Sequence, residues 1–248
     1  MCQLPSHEVH VWRARLDVSP ETSARLQATL SDDECRRSAR FRFERDRRRF
    51  VVAHGVLRAL LGSYLQTPAD RVRYVCNAFG KPGLSPEFDG RLAFNLSHSG
   101  DLALVAIAAD ARLGIDLERI RAQSDYADIA RYFFSAAEAD QLSALPEPLY
   151  ADAFLACWTK KEAYLKACGN GLAGQLDGFS VPLTTDPDEV PADLDGASGE
   201  IVPARPWSLY TLQPAPGYIG ALAIEGRGWS VSERQWDMAE SVENAQKP

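Results

Sequence analysis

The sequence predicts an α+β protein built as two similar halves, and three observations predict it. The string Ser31-Asp32-Asp33-Glu34 returns 104 residues later as Ser135-Ala136-Ala137-Glu138. Each string opens a long stretch with helical spacing, the first running to near Leu61-Gly62 and the second to Gly169. Each half then closes with a glycine turn into an apolar strand, Gly100 into Leu102 to Ala108 and Gly217 into Tyr218 to Ile224. Both S-x-x-E strings read as capping boxes, in which the serine closes the first turn and the glutamate reaches back.

Composition narrows the function classes. The chain has 248 residues, of which 46% are hydrophobic and 25% charged, enough to bury a core without staples. The longest apolar run, Leu102 to Ala109, is far short of the roughly 20 residues that a membrane helix needs. No charged lead is followed by an apolar stretch near Met1, so no secretory leader is expected. Five cysteines without a C-x-x-C pair argue against a disulfide framework and a thiolate zinc site. Reduced cysteines suit a cytoplasmic protein. A net charge of −7 does not favour general affinity for nucleic acid.

Taken in order, the elements carry four chemical signals. Residues 36 to 49 hold eight arginines, at 36, 37, 40, 42, 45, 47, 48 and 49. On one helix Arg36/Arg40 and Arg45/Arg49 would be like-charged i,i+4 pairs, which an anion could offset. The other reading of the run is a solvated face partnered by Asp32, Asp33 and Glu34. Next, Phe94-Asn95-Leu96-Ser97-His98-Ser99-Gly100 carries a strand into hydroxyls and an imidazole able to converge on an anion.

The repeat places the boundary between halves near Arg112, giving 1–112 and 113–228. Just past it, Gly114-Ile115-Asp116-Leu117-Glu118 alternates, so Asp116 and Glu118 share one strand face. The pair could share a hard cation such as Mg²⁺, or simply face solvent. In Trp158-Thr159-Lys160-Lys161-Glu162-Ala163-Tyr164-Leu165-Lys166, helical spacing stacks Trp158, Glu162 and Lys166 in one partly buried row. Gly169-Asn170-Gly171 ends that helix. Only five lysines stand against 22 arginines, and Lys81, Lys160, Lys161 and Lys166 are four of them. Asp186 to Arg205 reads as a surface loop, and 229–248 as a polar, loosely held tail. Three acids, a lysine and an arginine cluster suit a Mg²⁺-dependent reaction on a polyphosphate ester. A phosphohydrolase would use the same acids with water as acceptor, and a nucleic-acid binder would use the arginines alone.

The strings F-G-K-P (79–82), F-N-L-S-H-S (94–99), G-I-D-L-E (114–118), F-F-S-x-x-E (133–138) and W-T-K-K-E-A-Y-L-K (158–166) resemble the 4′-phosphopantetheinyl transferase superfamily, of the type that activates surfactin synthetase. The resemblance implies two α+β halves related by pseudo-twofold symmetry, with coenzyme A in the cleft between them. It implies Mg²⁺ held by Asp116, Glu118 and Glu162, and transfer of phosphopantetheine to a serine of an acyl or peptidyl carrier protein. Glu162 and Lys166 would be catalytic, the first taking the acceptor's proton directly or through a metal-bound water, the second as phosphoryl-charge partner. Arg37, Arg49, Lys81, Ser97, His98 and Lys166 would contact the donor. An early basic position of better-known members falls on Glu34, with Arg36 or Arg37 beside it to supply the charge. A monomer is expected, since duplication already supplies a two-half site.

Overall fold

The computed structural model describes residues 4–88, 92–121, 125–169, 176–186, 192–194 and 206–237. The first half runs β1 (Glu8–Arg15), α1 (Pro20–Gln27), α2 (Asp32–Ser38), α3 (Glu44–Leu65), β2 (Tyr74–Cys76), β3 (Pro82–Leu84), β4 (Leu92–Ser99) and β5 (Leu102–Ala109). The second runs β6 (Leu113–Arg119), α4 (Tyr126–Phe133), α5 (Ala136–Ser143), α6 (Glu147–Cys168), β7 (Ala192–Leu194), β8 (Trp207–Leu212) and β9 (Tyr218–Glu225). A last strand, β10 (Ser230–Gln235), follows.

The repetition is real in detail. Both capping boxes form, Ser31 with Glu34 at the start of α2 and Ser135 with Glu138 at the start of α5. The helices α3 and α6 each have 22 residues, and each ends on a left-handed residue, Gln66 (φ 52°) or Gly169 (φ 63°). Neither long stretch is one helix, as the spacing alone suggested. The first breaks between Ser38 and Glu44, and the second breaks before Pro146, since a proline bars its predecessor from the helical region. Arg36 and Arg40 therefore do not share a helix, whereas Arg45 and Arg49 do.

Two four-stranded sheets, ordered β10-β1-β5-β4 and β6-β9-β8-β7, carry the halves. Alternation along the central strands sorts their side chains. Ala103, Val105 and Ile107 of β5 pack with Val52, Val56 and Leu60 of α3. Ala221 and Ala223 of β9 pack with Phe154, Ala163 and Ala167 of α6. The opposite faces meet in one shared core, Leu102, Leu104 and Ala106 of β5 against Ile115 and Leu117 of β6 and Leu222 and Ile224 of β9. Each sheet thus has its long helix outside and the other half inside.

Residues 230–235 are not loosely held. They pair in parallel with β1, Glu8 opposite Ser230 through Arg13 opposite Gln235, and Trp236 enters the core beneath α3. Polar side chains suit an edge strand with an open face, which composition alone does not separate from a tail. Within the expected loop 186–205, residues 192–194 form edge strand β7; 187–191, 195–205 and Asn170-Gly171 lie outside the described residues, as do 238–248.

Candidate functional site

The strand β4 is the seam of the molecule, and its alternation divides its work. Asn95, Ser97 and Ser99 reach across to β6. The Asn95 side chain accepts from the Ile115 N–H at 2.9 Å, Ser97 donates to Asp116 Oδ1 at 2.9 Å, and Ser99 donates to Glu118 Oε2 at 2.9 Å. Phe94, Leu96 and His98 line a cavity of about 520 Å³ on the N-terminal side, together with Arg37, Arg40, Phe41, Phe50 and His54. Its described lining comes from residues 37–98, so the carboxylates stand beyond its rim on the other side of the seam.

A missing side chain brings α6 up to β6. A Cβ on Gly114 would sit 2.2 Å from the Ala163 carbonyl oxygen and 2.4 Å from the Ala167 nitrogen. Because there is none, Lys166 Nζ lies 2.5 Å from Asp116 Oδ1, 3.2 Å from Ser97 Oγ and 3.4 Å from the Ile115 carbonyl. Asp116 is buried, so the acid pair does not simply face solvent, although Glu118 is only half-buried; Asp116 Oδ2 has no hydrogen-bond partner among the described residues. Glu118 and Glu162 feel it. Burial first pushes the Glu162 carboxyl above its usual range; Asp116 and Glu118 add to this and Lys166 opposes it. Burial and then Asp116 likewise raise Glu118, against the Ser99 hydrogen bond.

Among the described residues, no three His, Cys, Asp or Glu side chains are grouped closely enough to hold a metal ion. Asp116, Glu118 and Glu162 form one electrostatic group rather than a preformed ligand cage, and Lys166 occupies the oxygen of Asp116 that faces it. The orphaned Oδ2 and the raising of the other two carboxyls beside Asp116 still fit a hard divalent cation, which takes oxygen ligands and relieves such crowding.

The expected phosphate contacts separate. His98 is exposed on the cavity wall, where surrounding atoms first, then His54, Lys166 and Arg49, lower its pKa. Arg37 lines the cavity, its guanidinium 5.4 Å from the Phe50 ring. Arg49 is held instead by Asp101, at 2.5 and 3.0 Å. Arg36, Arg45 and Arg47 pair with Asp33, Asp46 and Glu44, and Arg48 donates to the Val18 carbonyl. The run is therefore partly the solvated face, and Arg37 with Arg40 is the part that opens to the cavity.

Lys81 is not in the cavity wall. Its Nζ donates to the Leu113 and Ala167 carbonyls at 3.0 and 2.9 Å, while its neighbours Gly80 and Pro82 line the cavity. Burial lowers its pKa to about 8. The same chemistry explains the rare lysines. Lys160 donates to the Pro182 and Thr184 carbonyls, and Lys161 to those of Leu176 and Phe179. A compact ammonium with three hydrogens can gather converging carbonyls where a planar fork cannot.

The chain is similar along most of its length to known proteins. It is 43% identical over 227 residues to the 4′-phosphopantetheinyl transferase HetI of Nostoc sp., covering 91% of each chain. It belongs to the 4′-phosphopantetheinyl transferase superfamily. Two family profiles agree: one described as 4′-phosphopantetheinyl transferase, N-terminal, matches residues 17–111, and the superfamily profile matches 112–203. The transferase is also 29% identical over 201 residues to Sfp of Bacillus subtilis, covering 81% of this chain and 84% of that one. A third relative, described as a putative 4′-phosphopantetheinyl transferase of Synechocystis sp., is 32% identical over 151 residues.

Reading the transferase by sequence missed Asn95, Ser99, Arg40 and His54. The first two had a signal, the alternation of F-N-L-S-H-S, but their partners lie 19 or 20 residues on and needed the fold. No helix among the described residues is long and apolar enough to cross a membrane.

Proposed function

We propose that this transferase moves the 4′-phosphopantetheine group of coenzyme A to a serine hydroxyl of an acyl or peptidyl carrier protein, releasing 3′,5′-ADP. One observation carries the reading: a half-buried group of three carboxylates and a lysine adjoins a cavity whose wall holds Arg37, Arg40, His54 and His98. The N-terminal half, 1–112, holds the nucleotide end of the donor. The C-terminal half, 113–228, supplies the reacting side chains.

Asp116, Glu118 and Glu162 are the residues that would hold Mg²⁺, and the bound ion supplies positive charge to the diphosphate oxygens. The rest is done by the chain itself. Glu162 takes the proton of the acceptor hydroxyl as its oxygen bonds to the β-phosphorus. The bond from that phosphorus to the bridging oxygen breaks, and the electron pair leaves with the nucleotide. Lys166, within reach of Ser97 and Asp116, meets the charge that develops on the departing side. Ser97 and Ser99 orient Asp116 and Glu118 rather than meeting phosphate directly. Arg49, held by Asp101, is a donor contact beside His98.

Action as a monomer and in the cytoplasm completes the proposal. One chain carries both sets of side chains, and among the described residues no cysteine is in a disulfide. The test is intact-mass analysis of several apo carrier proteins after incubation with coenzyme A, with Mg²⁺ or with chelator. A gain of one phosphopantetheine that requires Mg²⁺ is expected. Cleavage of coenzyme A without carrier labelling would instead establish a hydrolase, and labelling undiminished by chelator would remove the metal.

A further inference from the structure

The C-terminal end of α6 is finished by a turn from the other half. The last carbonyls of a helix have no partner within it. In the left-handed cap the Gly169 N–H meets the Leu165 carbonyl. The Ala167 and Gly169 carbonyls are met from the turn between β2 and β3, by Lys81 Nζ at 2.9 Å and by Asn77 Nδ2 at 2.6 Å. Asn77 also shapes that turn, its Oδ1 accepting from the Phe79 and Lys81 N–H groups at 2.9 Å each. The fit is close. A Cβ on Gly169 would lie 2.6 Å from Lys81 Cδ and 3.4 Å from Asn77 Nδ2. A cation there also suits the negative end of the helix dipole.

Lys81 holds more than a helix end. Its Nζ donates as well to the Leu113 carbonyl of β6 at 3.0 Å, so one ammonium joins α6 to β6. The join lies where Gly114 lets the two elements meet, against Ala163 and Ala167. Lys166, next to Ala167 in the chain, reaches Asp116 from that point at 2.5 Å. The corresponding end of α3 is closed by its own following residues, the Gln66 and Thr67 N–H groups on the Gly62 carbonyl.

We propose that Lys81 is a positioning residue for Lys166: the turn 77–81 caps α6 from the opposite half and sets where Lys166 stands against Asp116. The inference rests on the catalytic role given to Lys166 above. With the ammonium removed, two carbonyls lose a charge-assisted donor, and the last turn of α6 can shift from β6. A misplacement of about 1 Å at a reacting group costs up to about 100-fold in rate. Gly80 and Pro82 of the same turn line the cavity, so a loosened turn acts on KM also, and the larger effect belongs to kcat.

The experiment is a double-mutant cycle read by carrier loading at saturating coenzyme A and Mg²⁺. Lys81→Met keeps most of the stem against Gly169 and removes the ammonium. Alone it should lower kcat about 10- to 30-fold, with KM for coenzyme A within about threefold. In a Lys166→Ala background it should lower kcat less than about twofold, since nothing remains to be positioned. An equal loss in both backgrounds is what a purely structural strut gives, and it would overturn the inference. So would a raised KM with kcat unchanged, which would make Lys81 a contact of the donor. Lys81→Gln, which retains a donor for one carbonyl, should keep an intermediate kcat and carries the cycle if the methionine variant melts early. Wild-type kcat in Lys166→Ala, or a wild-type protein that loads no carrier, would instead remove the reading of the site, which separates the two failures.

Discussion

Lys166 Nζ has three hydrogens and three acceptors, Asp116, Ser97 and the Ile115 carbonyl, gathered from two strands. Such a point charge is poorly replaced by a guanidinium, so Lys166→Arg should lose most of kcat while keeping its melting temperature. Glu162→Gln should do the same, because it removes a proton acceptor from a group of three coupled carboxyls. Loading rate and thermal melting measured together decide both; near-normal rates would return the pair to a surface role. Glu34 gives a pH prediction. Its folded pKa of about 2 lies below the unfolded value near 4.5, so its stabilisation is full above the latter and is lost as pH falls toward the former. The melting-temperature gap between wild type and Glu34→Gln should therefore be wide at neutral pH, narrow below about 4.5 and close near 2; a gap constant with pH would contradict the His54 and Ser31 hydrogen bonds and the Arg58 ion pair that hold the pKa down against burial. At this scale Asp116, Glu118 and Lys166 were legible because period-two and period-3.6 spacing puts them on definable faces. His54 and Arg40 were not, since nothing local says which cation of a crowded run opens to a cavity.

At the scale of elements, the contact of β6 with α6 depends on Gly114. Gly114→Ala would drive a methyl group into the backbone of α6, which cannot give way as a flexible side chain would. We expect a melting temperature lower by several degrees and a large loss of kcat, because displacing the helix carries Lys166 away from Asp116. Normal activity in that variant would show that the helix tolerates the shift. The capping boxes and the central strands β5 and β9 were readable from the sequence, since each is set by local chemistry or by an unbroken apolar run. The break of each long helical stretch was harder, because the first has no proline or glycine to mark it.

For the whole molecule, the shared core predicts that the halves do not melt separately. Leu102 and Leu104 from one half pack with Ile115, Leu117 and Leu222 from the other, so neither sheet is complete in its own apolar cover. Thermal unfolding followed by tryptophan emission and by far-ultraviolet dichroism should give one coincident transition; two separated midpoints would contradict the shared core. The duplication was visible from the offset between capping boxes. The return of residues 230–235 to β1 was not, because a pairing across more than 220 positions leaves no mark in local composition. That pairing also bears on how the protein is made. On the ribosome β1 emerges more than 200 residues ahead of its outer neighbour β10. The N-terminal sheet must wait, edge open, while the whole second half is made, and the arrival of β10 rather than the completion of the first half sets the earliest moment of closure.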